Sequence, residues 1–209
     1  MNNNKTVKIA VLVSGGGTNL QALIDACNDN IIKSGKIELV ISSNPNAYAL
    51  QRAARANIPT ATVSKKECGS QEMFEAKIKE LLSKNKIDLI VLAGFMNILS
   101  SDFTKEYLER IINVHPSLIP SFCGKGFYGL HVHEAALEYG VKVTGATVHF
   151  VNEIPDGGRI ILQKSVNIRK GDTPEILQKR VMEKAEWIIL PRACEIVSRE
   201  LLKNKGVKA

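Results

Sequence analysis

"VKIAVLVSGGGTNLQALIDAC", residues 7–27, decides the fold. Residues 7–13 are apolar at nearly every position instead of alternating, which is the pattern of a strand covered on both faces in a parallel sheet. Leu20, Leu23, Ile24 and Cys27 then recur at i, i+3, i+4 and i+7, the buried stripe of a helix. Between them "SGGGTN" makes the turn. Strand, turn and helix in this order open an α/β domain, and the turn aims backbone N–H groups and the positive end of the helix dipole at one point. An anion suits that point, and glycines let it approach closely. A tight turn without a ligand is the competing reading. The dinucleotide fingerprint fails, because Gly15 and Gly17 fit while Leu20 occupies the third glycine's place, and no acidic residue closes the second strand. G-x-x-x-x-G-K-[ST] is absent too. A single phosphate monoester is the guest left.

Working outward, strands are expected at 37–42, 60–63 and 88–93, with helices at 47–56 and 71–83. This alternation implies right-handed crossovers and a mostly parallel, Rossmann-like sheet with helices on both faces. After a strand at 111–114 the rhythm changes. A Gly- and Pro-rich loop covers 116–130, a short helix 132–139, and strands 146–151 and 160–166 flank the turn "NEIPDGG" at 152–158. Residues 173–203 are helical in pattern, with Asp172 as N-cap, Pro174 in the first turn and Pro191 expected to kink or divide the helix. No repeat, linker or compositional break marks a second domain, and residues 1–4 read as a frayed end.

The chain has 209 residues, 44% hydrophobic and 23% charged, which suits one globular domain. Its four cysteines show no C-x-x-C spacing, so neither a disulfide framework nor a zinc ribbon is suggested, and a reducing cytoplasmic setting is expected. No apolar run approaches the ~20 residues that span a bilayer. The net charge of +7 steers anions toward the surface, but few aromatics lie among the lysines, so small-molecule substrates are expected and neither nucleic acid nor membrane is. The oligomeric state is not legible.

Asn113 and His115, in "NVHPS", stand two apart at a strand's end, and a period of two puts both side chains on one face. They would project into the crevice where open α/β sheets bind ligands, and Pro116 fixes the exit. An amide donor beside an imidazole suits a carbonyl oxygen that turns negative. A purely structural hydrogen-bonding role is the alternative. Asp156 reads first as a turn former, although a turn folded over the strand ends would bring a carboxylate to His115, favour imidazolium and raise its pKa. His131, His133 and His149 match no zinc spacing, and no metal is expected.

Together "VLVSGGGTNLQALIDAC", "VLAGFMNILS", "NVHPSLIPSF" and "TVHFVNEIPDGGRIILQ" resemble the glycinamide ribonucleotide formyltransferase family over nearly the whole chain. The resemblance implies transfer of a formyl group from 10-formyltetrahydrofolate, as co-substrate, to the amine of glycinamide ribonucleotide in purine biosynthesis. It also implies one domain over 1–209, with a phosphate-binding half at 1–100 and a catalytic, folate-binding half at 101–209. Asn113 and His115 would stabilise the oxyanion, with His115 the general acid and Asp156 keeping it protonated. Gly17, Thr18 and Asn19 would hold the substrate phosphate, and Glu186 the ribose hydroxyls. The folate would lie along Gln71, Met96, Asn97, Ile98, Leu99 and Asn113 and the backbone at Val151, Asn152 and Ile154.

The chain departs from the family pattern at several points. Asn97 stands for an arginine, and Gln71 for a basic residue that meets the folate's glutamate tail; Lys65 or Lys66 is the candidate replacement. Trp187 and Arg159 replace a histidine and a proline, and the 121–130 loop is extended. Methionyl-tRNA formyltransferase and formyltetrahydrofolate hydrolase share the N-x-H and D-x-G motifs, but each is expected to carry a further domain for which 209 residues leave no space.

Overall fold

The computed structural model describes residues 6–206; residues 1–4, read above as a frayed end, lie outside them. The chain alternates strand and helix through β1 (Val7–Val13), α1 (Thr18–Asn28), β2 (Gly35–Ser42), α2 (Tyr48–Arg55), β3 (Thr60–Thr62), α3 (Lys65–Cys68), α4 (Gln71–Lys84) and β4 (Leu89–Leu92). It continues with α5 (Ser101–Glu106), β5 (Ile111–His115), α6 (His131–Tyr139), β6 (Val143–Phe150), β7 (Ile160–Asn167), α7 (Pro174–Val181), a π turn at Met182–Glu186 and α8 (Trp187–Gly206). One sheet of seven strands runs β3-β2-β1-β4-β5-β6-β7. Pairing is parallel as far as β5, and β6 and β7 add antiparallel.

The unalternating apolar run of β1 has its physical reason in the layers. Val7, Ile9, Val11 and Val13 pack in one core with Leu20 and Leu23 of α1 and Leu190 and Ala193 of α8. Ala10 and Leu12 pack in a second core with Phe74, Ile78 and Leu82 of α4 and Phe103 of α5. Every second side chain thus faces a different helix layer. Strand order reverses direction between β1 and β4, so a crevice opens at the carboxyl ends of β1, β4 and β5.

Two helix-end expectations are corrected. The N-cap of α7 is Thr173, whose hydroxyl accepts from Ile176 N, while Asp172 is taken by Arg180 at 2.6 Å and by Arg169 N at 2.7 Å. Pro191 does not divide the C-terminal helix but lies inside α8; the break is the π turn just upstream. A π turn has already interrupted the i to i−4 ladder near the point where proline withdraws a donor. Helices α3 and α5 went unforeseen because four and six residues are too few to show a period.

Candidate active site

The first loop builds one wall of the crevice. Gly17 caps α1 at φ 74°, and a Cβ there would stand 2.6 Å from the Cβ of Ala49, so both conformation and space demand glycine. Helix α2 grips the loop's carbonyls, with Ala49 N donating to Gly15 O at 3.1 Å and Arg52 Nε to Gly16 O at 2.9 Å. The Thr18 hydroxyl points to Met182 Sδ at 3.8 Å, and Asn19 Nδ2 donates to Glu186 Oε2 at 2.7 Å.

Glu186 is thus brought to the loop from the π turn. It is buried, and burial, partly offset by the Asn19 bond, pushes its carboxyl up to about 7. Asn19 Oδ1 is also buried and has no hydrogen-bond partner among the described residues. The sign of the linkage is definite. Unfolded Glu186 ionises near 4.5 and the folded form only near 7, so a penalty grows between those values and is complete above them. Glu186→Gln should therefore raise stability at pH 8 by up to ~3 kcal/mol and leave it nearly unchanged at pH 4. Urea titrations at the two pH values measure this, and equal changes would refute it.

Asn113 and His115 leave β5 on the face opposite Ile112 and Val114, toward the α4–α5 side. The "PDGG" turn does fold over the strand ends. Asp156, at φ 57°, places Oδ2 3.5 Å from His115 Nδ1 and Oδ1 3.5 Å from His149 Nε2. Asn113 Nδ2 lies 3.2 Å from the same His149 Nε2. The 121–130 loop closes the other side, where Phe122 O accepts from His115 Nε2 at 2.9 Å and Gly124 N donates to Asp156 Oδ2 at 2.8 Å. His149 was not singled out as part of this group, because a single sequence does not reveal which residue an antiparallel strand sets opposite Asn113.

The electrostatics correct one expectation. Burial lowers the His115 pKa, and the nearby Asp156 and the Phe122 bond raise it, but the net shift is downward. Asp156 feels burial upward, yet the neighbouring His149 and His115 rings and the Gly124 N–H together hold it below the usual carboxylate range. Both nitrogens of His115 face acceptors, so a proton taken up there meets a carboxylate at once. His133 lies behind, fully buried with neither ring nitrogen hydrogen-bonded among the described residues, and burial first and His115 second drive it to about 4.

An apolar rim borders this polar centre. Met96 is 57% exposed, Ile98 69% and Ile154 60%, an unusual set beside a cleft. Leu99 is buried and belongs to the core on the α4 side. A cleft of about 710 Å³ runs from Phe95, Met96 and Ile98 past Asn113, His115 and Asp156 to Phe127 and Tyr128 of the loop. Asn97, Val151 and Asn152 line a smaller adjoining recess that reaches His149. Gln71 donates to Glu75 Oε1 at 2.6 Å and Ile98 O at 3.1 Å, and borders an outer hollow with Lys65. Among the described residues no group of three or more His, Cys, Asp or Glu side chains is placed to hold a metal ion, and no helix is long and apolar enough to cross a membrane.

A family model described as "Formyl transferase" matches residues 7–194. The chain is 44% identical over 184 residues to the phosphoribosylglycinamide formyltransferase of Haemophilus influenzae, covering 88% of this chain and 84% of that protein. It is also 44% identical over 192 residues to the trifunctional purine biosynthetic protein adenosine-3 of Gallus gallus, covering 92% of this chain but 18% of that relative's length. The crystal structure of glycinamide ribonucleotide transformylase 1 from Symbiobacterium toebii superposes with a TM-score of 0.87 at 39% identity, covering 95% of this chain and 90% of the other.

Proposed function

Since the chain belongs to the formyl transferase family, we propose that it moves the formyl group of 10-formyltetrahydrofolate to the amine of glycinamide ribonucleotide, a step of purine biosynthesis, as one catalytic domain over 1–209. The observation that carries this reading is the meeting of Asn113, His115 and Asp156 at the mouth of the crevice, beside a glycine turn at a helix N-terminus. The donor is a flat heterobicycle with a charged tail. The recess walled by Leu92, Leu99 and Val151 next to Asn113 suits its ring, and exposed Met96 and Ile98 suit its linker. Gln71 and Asn97 bring no charge to the tail, so the Lys65 ammonium at the outer hollow is assigned that role.

At the other wall, the N–H groups from Gly17 to Asn19 would receive the phosphate. Asn19 Oδ1 and the Glu186 carboxylate offer acceptors to sugar hydroxyls. The amine then lies against the formyl carbon, whose oxygen would take a hydrogen bond from Asn113 Nδ2. His115 begins neutral. It would accept the proton the amine sheds, directly or through a water, hold it as imidazolium against Asp156, and return it to the departing folate nitrogen. Its Nε2–H is engaged by Phe122 O, so the 121–130 loop has to yield that contact if the same hydrogen is to reach the substrate.

The decisive assay supplies 10-formyltetrahydrofolate with glycinamide ribonucleotide, with other primary amines, or with no acceptor, and identifies products by mass spectrometry. N-formylated ribonucleotide is expected. Release of formate irrespective of acceptor would make the protein a hydrolase, and preference for another amine would move the acceptor assignment. Glu186→Gln should raise KM for the ribonucleotide by ~10-fold with little change for the folate, since a hydrogen bond to a charged group is worth ~1.5–3 kcal/mol and the amide keeps part of it. An unchanged ribonucleotide KM would remove Glu186 from the site.

A further inference from the structure

We propose that His149 is a positioning residue that sets the aim of the Asn113 amide; the inference rests on the formyl-transfer reading, in which Asn113 is a donor to the carbonyl oxygen. His149 faces Asn113 across the antiparallel β5–β6 pair, at a point where the β6–β7 register shifts between Val148 and His149. Such a shift re-aims a side chain. His149 is 1% exposed.

The ring's hydrogen positions follow from its neighbours. Nδ1 lies 2.7 Å from Phe150 O, and a carbonyl oxygen only accepts, so Nδ1 carries a hydrogen. In the neutral ring Nε2 then keeps a lone pair, and Asn113 Nδ2, 3.2 Å away, donates to it. A carboxamide has two ends of nearly equal shape, one donating twice and the other only accepting. With an acceptor at Nε2 the NH2 end turns inward to His149, and its second N–H is left for the crevice. Turned over, the amide would set Oδ1 against the Nε2 lone pair, and the nitrogen needed by the developing negative charge would be displaced. Asp156 Oδ1, 3.5 Å from Nε2, offers the ring a competing partner only when Nε2 is protonated. His149 therefore acts through Asn113, and the orientation is fixed before substrate arrives.

Two substitutions separate this role from plain packing. Asparagine keeps a donor where Nδ1 stood and removes the acceptor at Nε2, whereas glutamine keeps an acceptor at Nε2 and gives up the bond to Phe150 O. His149→Asn should lower kcat on the order of 10- to 10²-fold with both KM values near wild type. His149→Gln should stay within a few-fold of wild type, about 3-fold. A merely structural residue would reverse that order. In the Asn113→Ala background, itself lowered ~10²–10³-fold, His149→Asn should have almost no further effect on kcat, less than about 2-fold.

Equal factors in both backgrounds overturn the proposal and leave the Asn113 reading standing. Wild-type activity in Asn113→Ala overturns that reading and this proposal with it. Circular dichroism checks folding of each variant. Should His149→Asn not fold, imidazole 15N shifts of the wild-type protein decide, because hydrogen on Nδ1 with bare Nε2 is required and hydrogen on Nε2 overturns the assignment.

Discussion

With alanine at position 115, kcat for formyl transfer should fall by ~10²–10⁴ while both KM values stay near wild type, because in the proposed mechanism the imidazole handles a proton in the transition state and binds neither substrate's remote parts. Asp156→Asn should fall into the same range without emptying the site, since the amide preserves shape and removes the charge that answers the imidazolium. The double variant should be little worse than either single one, as befits residues acting as a unit. The pH profile carries the sign. Burial holds His115 below its usual value of 6.5 despite Asp156, so the ring is a free base at neutral pH and kcat should decline as pH drops through that lowered pKa. Removing the Asp156 charge takes away its largest upward pull, and the acid limb should move to still lower pH. Stability follows the same direction. The unfolded ring binds a proton below 6.5 and the folded ring resists it, so this site weakens the fold on acidification below 6.5, and His115→Ala relieves that loss. Rate profiles of the three variants between pH 5 and 8 are the measurement; an acid limb that stays in place in Asp156→Asn would separate the carboxylate from the histidine.

The parts of this architecture that were legible are those written in period. Continuous apolarity in β1, a stripe of period 3.6 in α1 and the period-two placing of Asn113 and His115 each state a local geometry that tertiary packing did not need to override. From its residues the Asp156 segment was legible first as a turn, and its partnership with His115 came from the family resemblance. Its approach to His115 depends on β6 pairing antiparallel with β5, a long-range fact that leaves no local mark. His149 shows the same gap more sharply, because it is simply one more residue of a buried strand until the register sets it opposite Asn113. The depressed pKa of His115 was missed for a different reason: a charge partner can be guessed from motif spacing, whereas the depth of burial that outweighs it belongs to the whole fold. The misplaced cap at Asp172 came from proximity, since Asp172 and Thr173 are both good cap residues and only the ion pair with Arg180 decides between them.

Gly158→Ala should be as harmful as loss of a proposed reacting group, although Gly158 lines neither the cleft nor the adjoining recess. A Cβ built there would lie 1.7 Å from Phe150 O and 2.7 Å from Phe150 C, both backbone atoms at the end of β6. Those atoms cannot rotate aside, so the chain has to part at the junction between β6 and the turn that carries Asp156. Two groups move together when it does. Phe150 O is the acceptor that holds His149 Nδ1, and the turn sets Asp156 between His115 and His149. Overpacking against a fixed wall is expected to remove ~1–3 kcal/mol of stability, and a displacement of about 1 Å at the Asp156 carboxylate to lower kcat on the order of 10²-fold. Gly157→Ala supplies the contrast. Its Cβ would meet Ile154 Cγ2 at 2.7 Å and Ile154 Cβ at 2.8 Å, with Ile154 O the nearest backbone atom at 3.3 Å; Ile154 belongs to the same exposed turn and can shift with it without parting β6, so both losses should be smaller than at Gly158. Thermal melts and kcat for the two variants test the comparison. If Gly158→Ala melts and turns over like wild type, the contact between turn and strand is not what holds Asp156 in place.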